Sequence, residues 1–163
     1  GDLAAAGVAM AEMPGLAGRG ARHHIAVGDG HATLIDESYN ANPASMMVTI
    51  EQLGREQLCR ESAGRRIAVL GAMKELGPES DDFHAGLAAP ILAAGIDHVF
   101  LVGAEMSPLA KALEGRANFA HGQDADAALA HVQATLADGD VILVKGSNSV
   151  GLSRLVAALT RGS

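Results

Sequence analysis

Short apolar runs alternate with amphipathic stretches along this chain. His24-Ile25-Ala26-Val27 and His31-Ala32-Thr33-Leu34-Ile35 flank Gly28-Asp29-Gly30. Two β-favouring runs joined by so short a glycine turn predict an antiparallel hairpin. Three later runs, Ile67-Ala68-Val69-Leu70, Val99-Phe100-Leu101-Val102 and Val141-Ile142-Leu143-Val144, are apolar at every position. Runs without polar alternation predict strands buried on both faces of a parallel sheet. Asn118-Phe119-Ala120 gives a weaker strand signal.

Between these runs the period lengthens to that of helices. Asn42-Pro43 is a cap residue followed by proline at the first helical position, where the missing N–H costs nothing. Met46, Met47, Ile50 and Leu53 then fall on one side, while Glu51 with Arg55 and Glu56 with Arg60 form i,i+4 pairs on the other. A helix over about residues 80–94 carries Phe83, Leu87 and Ile91 on one face. Pro90 inside it predicts a kink or a shortening, because it removes the bond to Gly86. Ser107-Pro108 starts another helix and Gly115 stops it. Asp124 caps a helix with Leu129, Val132 and Leu136 inward, and the last helix buries Leu152, Leu155, Val156 and Leu159. The alternation predicts an α/β fold: a doubly wound, mostly parallel sheet that begins with an antiparallel hairpin.

Composition narrows the picture. The 163 residues suffice for one domain with a real core. Hydrophobic residues make up 48% and aromatics only 2%, so Ala, Val, Leu, Ile and Met must build that core. Net charge is −7, with basic residues scattered. Neither a basic face nor stacking aromatics are visible, which argues against a nucleic-acid binder. No apolar run approaches the ~20 residues of a membrane span. Cys59 is the only cysteine, which fits a reducing compartment and burial as a small hydrophobe. The chain opens on Gly1-Asp2 without methionine, and residues 3–13 read as an amphipathic helix, so a piece of something longer is expected.

Nucleotide motifs are informative by their absence. No G-x-x-x-x-G-K-[ST] occurs. Lys145-Gly146-Ser147 has the tail of such a loop, but Val144 stands before it, inside a strand. No G-x-G-x-x-G follows any strand, so the Rossmann-like sheet lacks a dinucleotide fingerprint. The histidines are scattered without ligand spacing, and no metal site is expected. The remaining candidate chemistry lies in loops leaving strand carboxyl ends, the rim where open α/β sheets bind ligands. These are Asp36-Glu37-Ser38-Tyr39-Asn40-Ala41-Asn42-Pro43, Gly71-Ala72-Met73-Lys74-Glu75-Leu76-Gly77, Gly103-Ala104-Glu105 and Lys145-Gly146-Ser147-Asn148-Ser149. The first holds the chain's only tyrosine, and two of its three lysines, Lys74 and Lys145, lie in the others. A lysine leaving a buried strand into a Gly-Ser turn is suited to an anion.

At these residues the chain resembles a known family. Asp-Glu-Ser-Tyr-Asn-Ala-Asn-Pro, Val-Leu-Gly-Ala-Met-Lys-Glu-Leu-Gly with a following Ser and His, and Ile-Leu-Val-Lys-Gly-Ser are similar to the carboxyl-terminal domain of the Mur ligases. Within them the likeness is to the branch that adds D-alanyl-D-alanine to UDP-N-acetylmuramoyl-tripeptide. The resemblance runs from about Pro14 to Leu159 and includes Gly18-Arg19-Gly20, similar to the family's interdomain linker. It implies that residues 1–20 are the tail of a preceding central domain and linker, and residues 21–163 the carboxyl-terminal domain. It also implies a monomeric cytoplasmic enzyme of bacterial peptidoglycan synthesis. The central domain would carry the phosphate loop, the Mg2+ ligands and the catalytic machinery, and an amino-terminal domain would hold the UDP-sugar peptide. The peptide carboxylate becomes an acyl phosphate at the expense of ATP, and the dipeptide amine attacks it. This chain would be the lid, inactive alone, with no catalytic residue of its own.

Carried over position by position, the resemblance implies ATP contacts at Arg19, Asp36, Tyr39, Asn40 and Asn42. It implies contacts to the incoming dipeptide at Lys145, Ser147 and Asn148, with Glu75 and His84 fitting the pattern of the second loop. Each has a plainer reading. Arg19 is also a solvated linker arginine, Asp36 a turn acid, Asn42 an N-cap, and Glu75 and His84 surface residues. Two positions depart from the family: Ala72 stands where aspartate is common, and Asn148 where arginine is common. Losing one charge of each sign is a compensated swap if the two positions meet across adjacent strand ends. Two other readings stay open: a stand-alone small-ligand binding module, and a domain of another ligase of the superfamily, of the folylpolyglutamate or tripeptide synthetase type.

Overall fold

The protein's structure, a computed structural model, describes residues 20–58 and 64–161. The helix expected over residues 3–13, Arg19, Cys59 and Arg60 lie outside them. The chain enters through a hairpin of β1 (Ala21–Val27) and β2 (Gly30–Glu37), closed by a turn in which Gly28 adopts φ +57°. Both strands run past their apolar stretches. Ala21 pairs with Asp36, and Asp36 and Glu37 continue a parallel ladder against Val144 and Lys145. Neighbouring strands, not side-chain pattern, hold these polar residues extended.

Helix α1 (Pro43–Gly54) leads to β3 (Arg66–Gly71), and α2 (Ser80–Ala85) with α3 (Ala88–Ala94) leads to β4 (His98–Val102). The split between α2 and α3 falls at Gly86-Leu87, where Pro90 withdraws its hydrogen bond. Helix α4 (Ser107–Leu113) precedes the edge strand β5 (Phe119–Gly122), and Gly115 ends the helix at φ +72°. Helix α5 (Ala125–Thr135) is capped by Asp124, whose Oδ1 accepts the Ala127 N–H at 2.9 Å. Strand β6 (Val141–Lys145) and α6 (Leu152–Arg161) follow. Glu56 lies beyond the end of α1 and forms a bidentate pair with Arg22 of β1, both bonds 2.8 Å.

The six strands lie in the order β1-β2-β6-β3-β4-β5, all parallel except β1. This is the expected doubly wound sheet with its initial hairpin. One core packs Met46, Ile50, Leu53, Leu87, Ile91 and Leu109 from α1, α3 and α4 on one face. The other packs Val132, Leu152, Leu155, Val156 and Leu159 from α5 and α6 on the opposite face. β2 and β3 therefore feed helices on the first face, and β6, lying between them, feeds a helix on the second. Loops that part to opposite faces open a crevice at the carboxyl ends of the strands. No helix among the described residues is long and apolar enough to cross a membrane.

Candidate functional site

Three loops meet at that crevice. The bend after β2 is shaped by Asp36, the strand's penultimate residue, which is buried on the α5–α6 face of the sheet. Its Oδ1 accepts the Ser38 N–H at 3.0 Å and the Ser38 hydroxyl at 2.5 Å. A carboxylate that bonds the amide two residues on makes an Asx turn, so Asp36 shapes the bend. Beyond it Tyr39 and Asn40 stand exposed, Tyr39 at 46%. Asn42 caps α1. Its Oδ1 accepts the Ser45 N–H at 2.9 Å, and its own N–H donates to Ser45 Oγ at 3.1 Å. This reciprocal capping box accounts for Asn42 without a ligand.

Strand β6 ends on Lys145, whose side chain turns inward and is almost fully buried. Its Nζ donates to the Asn40 carbonyl at 3.0 Å, bridging the crevice from β6 to the β2 loop. Burial pulls the Lys145 ammonium below its ordinary range, against the opposing pull of Glu37. Glu37, its ladder partner on β2, is pushed up by burial first, against the downward pull of Lys145, with a smaller upward push from Asp36. Glu37 is absent from the sequence candidates. Strand period alone puts residues 36 and 37 on opposite faces, and only the β2–β6 register sets Glu37 beside Lys145. Two acids in a row at a strand end were the available signal.

Gly146 follows for steric reasons. A Cβ there would stand 2.9 Å from the Gly71 Cα and 2.9 Å from Leu152 Cδ1. The glycine of Lys-Gly-Ser thus lets the ends of β6 and β3 touch, and needs no phosphate to explain it. Ser147 is buried; its N–H donates to the Ala72 carbonyl at 3.2 Å and its Oγ accepts the Lys74 N–H at 3.0 Å. The backbones of the two departures, Ala72 and Asn148, therefore lie at adjacent strand ends. Asn148 opens a 3-10 turn, Asn148–Val150, and its side chain lies outside the description.

The loop after β3 carries Lys74 and Glu75 outward. Lys74 Nζ pairs with Glu105 of the loop after β4, and this bond holds the Glu105 carboxyl below its usual range. Glu75 is exposed and sits at φ +62°, a left-handed conformation rare for a side-chain-bearing residue. His84 is not on the surface: it is fully buried behind this loop. The structure thus brings Asp36, Tyr39, Asn40, Lys145, Ser147, Lys74 and Glu75 to one rim. Asp36, Asn40, Asn42, Lys145, Ser147 and Lys74 all make intramolecular bonds there. Among the described residues no group of three His, Cys, Asp or Glu side chains could hold a metal ion.

Fold and rim together define an α/β domain of the switch-point type, polar at its crevice and without a phosphate loop. The chain belongs to the Mur ligase family: the family model described as Mur ligase, glutamate ligase domain, matches residues 21–148. It is similar to the UDP-N-acetylmuramoyl-tripeptide--D-alanyl-D-alanine ligase of Synechocystis sp., 38% identical over 129 residues, 77% of this chain and 27% of that one. The enzyme of the same name from Escherichia coli is 37% identical over 128 residues, 77% of this chain and 26% of that one. Among solved structures it is similar to the MurF ligase of Thermotoga maritima in complex with ADP. That match has a TM-score of 0.71 and 25% identity, over 93% of this chain and 32% of that one. MurF of Acinetobacter baumannii matches with a TM-score of 0.70 and 28% identity, over 92% of this chain and 31% of that one. The chain thus spans roughly a quarter to a third of the relatives it matches.

Proposed function

We propose that this chain is the nucleotide-side lid of an ATP-dependent amide ligase. The complete enzyme adds D-alanyl-D-alanine to UDP-N-acetylmuramoyl-tripeptide in peptidoglycan synthesis, as a cytoplasmic monomer. The observation that carries this reading is the exposed Tyr39-Asn40 pair at the β2–β6 switch point of a Mur ligase domain. An exposed ring suits stacking on a planar base, and the Asn40 amide, whose Oδ1 accepts the Ala41 N–H at 2.9 Å, offers its NH2 as a donor. Asp36 serves on the ribose side by fixing the bend that presents both.

The residues fit a nucleoside and not its phosphates. Lys145 is turned inward onto Asn40, and the Lys-Gly-Ser backbone is packed against Gly71. The triphosphate and Mg2+ therefore belong to a central domain of the same protein, which Arg19 of the linker would join. Ser147, Glu75 and the loop opened by Asn148 face the dipeptide side. With asparagine at 148, recognition of the dipeptide carboxylate rests on Lys74 and backbone N–H groups. Closure of the lid completes the site and excludes water from the acyl phosphate.

The test is the complete protein, assayed for ADP release dependent on both UDP-N-acetylmuramoyl-tripeptide and D-alanyl-D-alanine. Tyr39→Ala with Asn40→Ala is expected to raise KM for ATP about tenfold, a loss of about 1.4 kcal/mol, with kcat reduced less. An unchanged KM for ATP, or ligation of a different amine in preference, would sink the assignment.

A further inference from the structure

His84 carries a role that its place on a six-residue helix conceals. The side chain is fully buried, and a buried imidazole must have both nitrogens satisfied. Its Nε2 accepts the Met73 N–H at 3.0 Å, and its Nδ1 lies 2.7 Å from the Ser80 carbonyl oxygen. An amide can only donate and a carbonyl can only accept, so the two partners together fix the protons. Nε2 is bare and Nδ1 carries the hydrogen: the ring is neutral and in one tautomer.

The consequence runs along the loop after β3. Residues on either side of Met73 face the other way. Ala72 accepts from Ser147 N, and Lys74 donates to Ser147 Oγ. Three successive residues are thus clamped, the outer two by the β6 loop and the middle one by His84 from behind. Lys74 then reaches Glu105, and the backbone turns through the strained Glu75.

We propose that His84 is a positioning residue of the rim. As a neutral Nδ1–H imidazole it holds Met73, and through Met73 it sets Lys74 and Ser147 where they meet the incoming substrate. The substrate part of this statement rests on the proposed function; the clamp does not.

Two variants separate the clamp from mere filling of space. His84→Gln places an amide oxygen where Nε2 accepts, while His84→Phe keeps a ring without an acceptor. In the wild-type chain, long-range proton–nitrogen correlation spectra should give the Nδ1–H tautomer for His84; an Nε2–H tautomer overturns the proposal even if both variants misfold. Amide exchange at Met73 and Lys74 should quicken about tenfold in His84→Phe and stay within about threefold of wild type in His84→Gln, with Leu143 of β6 unchanged in both. Equal exchange in the two variants overturns it. In the complete ligase, His84→Phe should raise KM for D-alanyl-D-alanine about tenfold and His84→Gln should restore it; a KM unmoved by His84→Phe overturns the substrate part. A complete protein that ligates nothing counts against the proposed function, and the tautomer and exchange data then still decide the clamp.

Discussion

Lys145 and Glu37 show how much one residue's surroundings decide. A lysine leaving a strand into a Gly-Ser turn suggests an anion contact, yet its Nζ is already committed to the Asn40 carbonyl, with Glu37 alongside. Lys145→Met would keep the stem, remove the donor and leave Glu37 without its counter-charge. Urea unfolding should show a loss of about 1–3 kcal/mol, and the Glu37 carboxyl should rise further. Adding Glu37→Gln should return part of that loss, because the uncompensated charge goes with it. A single variant as stable as wild type would remove the strut from the account. Glu75 makes the opposite prediction. Its left-handed backbone costs about 1–2 kcal/mol, and glycine in its place adds about 0.5–1 kcal/mol of chain entropy. Glu75→Gly should therefore stabilise the chain by up to about 1.5 kcal/mol in the same urea titration. Residue identity marked the polar turn Tyr39-Asn40-Ala41-Asn42 in the sequence, and the structure places that turn at the rim. Cap chemistry assigned Asn42 to a helix start, but nothing local showed that Asn40 Oδ1 accepts the Ala41 N–H at 2.9 Å. Nor could residue identity show that His84 is buried, since burial there depends on how α2 folds back over the β3 loop.

Elements were legible where their ends obey local backbone chemistry. Asn42-Pro43, Asp124 and Gly115 act within a few residues of themselves, and each sits at the boundary it marks. Pro90 likewise foretold a break four residues upstream. Strand ends obeyed another logic. β1 and β2 extend to Ala21 and Glu37 because partners across the sheet hold them, and β5 exists because β4 offers it an edge. The crevice itself arises from β6 inserting between β2 and β3, a fact of topology that no local motif carries. The contact between β6 and β3 can be tested at Gly146. Gly146→Ala would drive a methyl to 2.9 Å from both Gly71 Cα and Leu152 Cδ1. Overpacking of this kind costs about 1–3 kcal/mol. The β6 loop should shift outward, so amide exchange at Ser147 and Lys74 should rise ahead of exchange in β6. Unaltered exchange and stability would mean that the two strand ends are not in contact.

On the scale of the whole molecule the two faces of the sheet are unlike, and pH should report the difference. On the α5 side, His98 of β4 and His131 of α5 meet with their Nε2 atoms 2.8 Å apart. The ring centroids lie 4.9 Å apart and the planes differ by 20°. That separation is about the N···N distance plus two ring radii, so the rings meet edge to edge through one shared proton. Burial first, then His131, then Arg65 pull the His98 imidazole below its ordinary value. A depressed histidine binds protons more readily unfolded than folded. Stability therefore rises with pH up to about 6.5 and falls as pH drops below it toward the folded value. At the other end of the sheet, Glu56 is held below the usual carboxylate range by its bond to Arg22. Its contribution is complete above about pH 4.5 and is lost only as pH falls through the lower folded value. Acid unfolding should thus come in two separable stages. Melting followed from pH 7.5 to pH 5.5 should show a decline that His98→Gln flattens and Glu56→Gln leaves in place. From pH 4.5 downward the order reverses. A wild-type melting temperature flat between pH 7.5 and 5.5 would mean that the histidine pair does not tie α5 to the sheet. The rim of Tyr39 and Asn40 lies at the opposite ends of the strands from His98, so protonation of His98 should weaken the fold without altering the geometry at that rim.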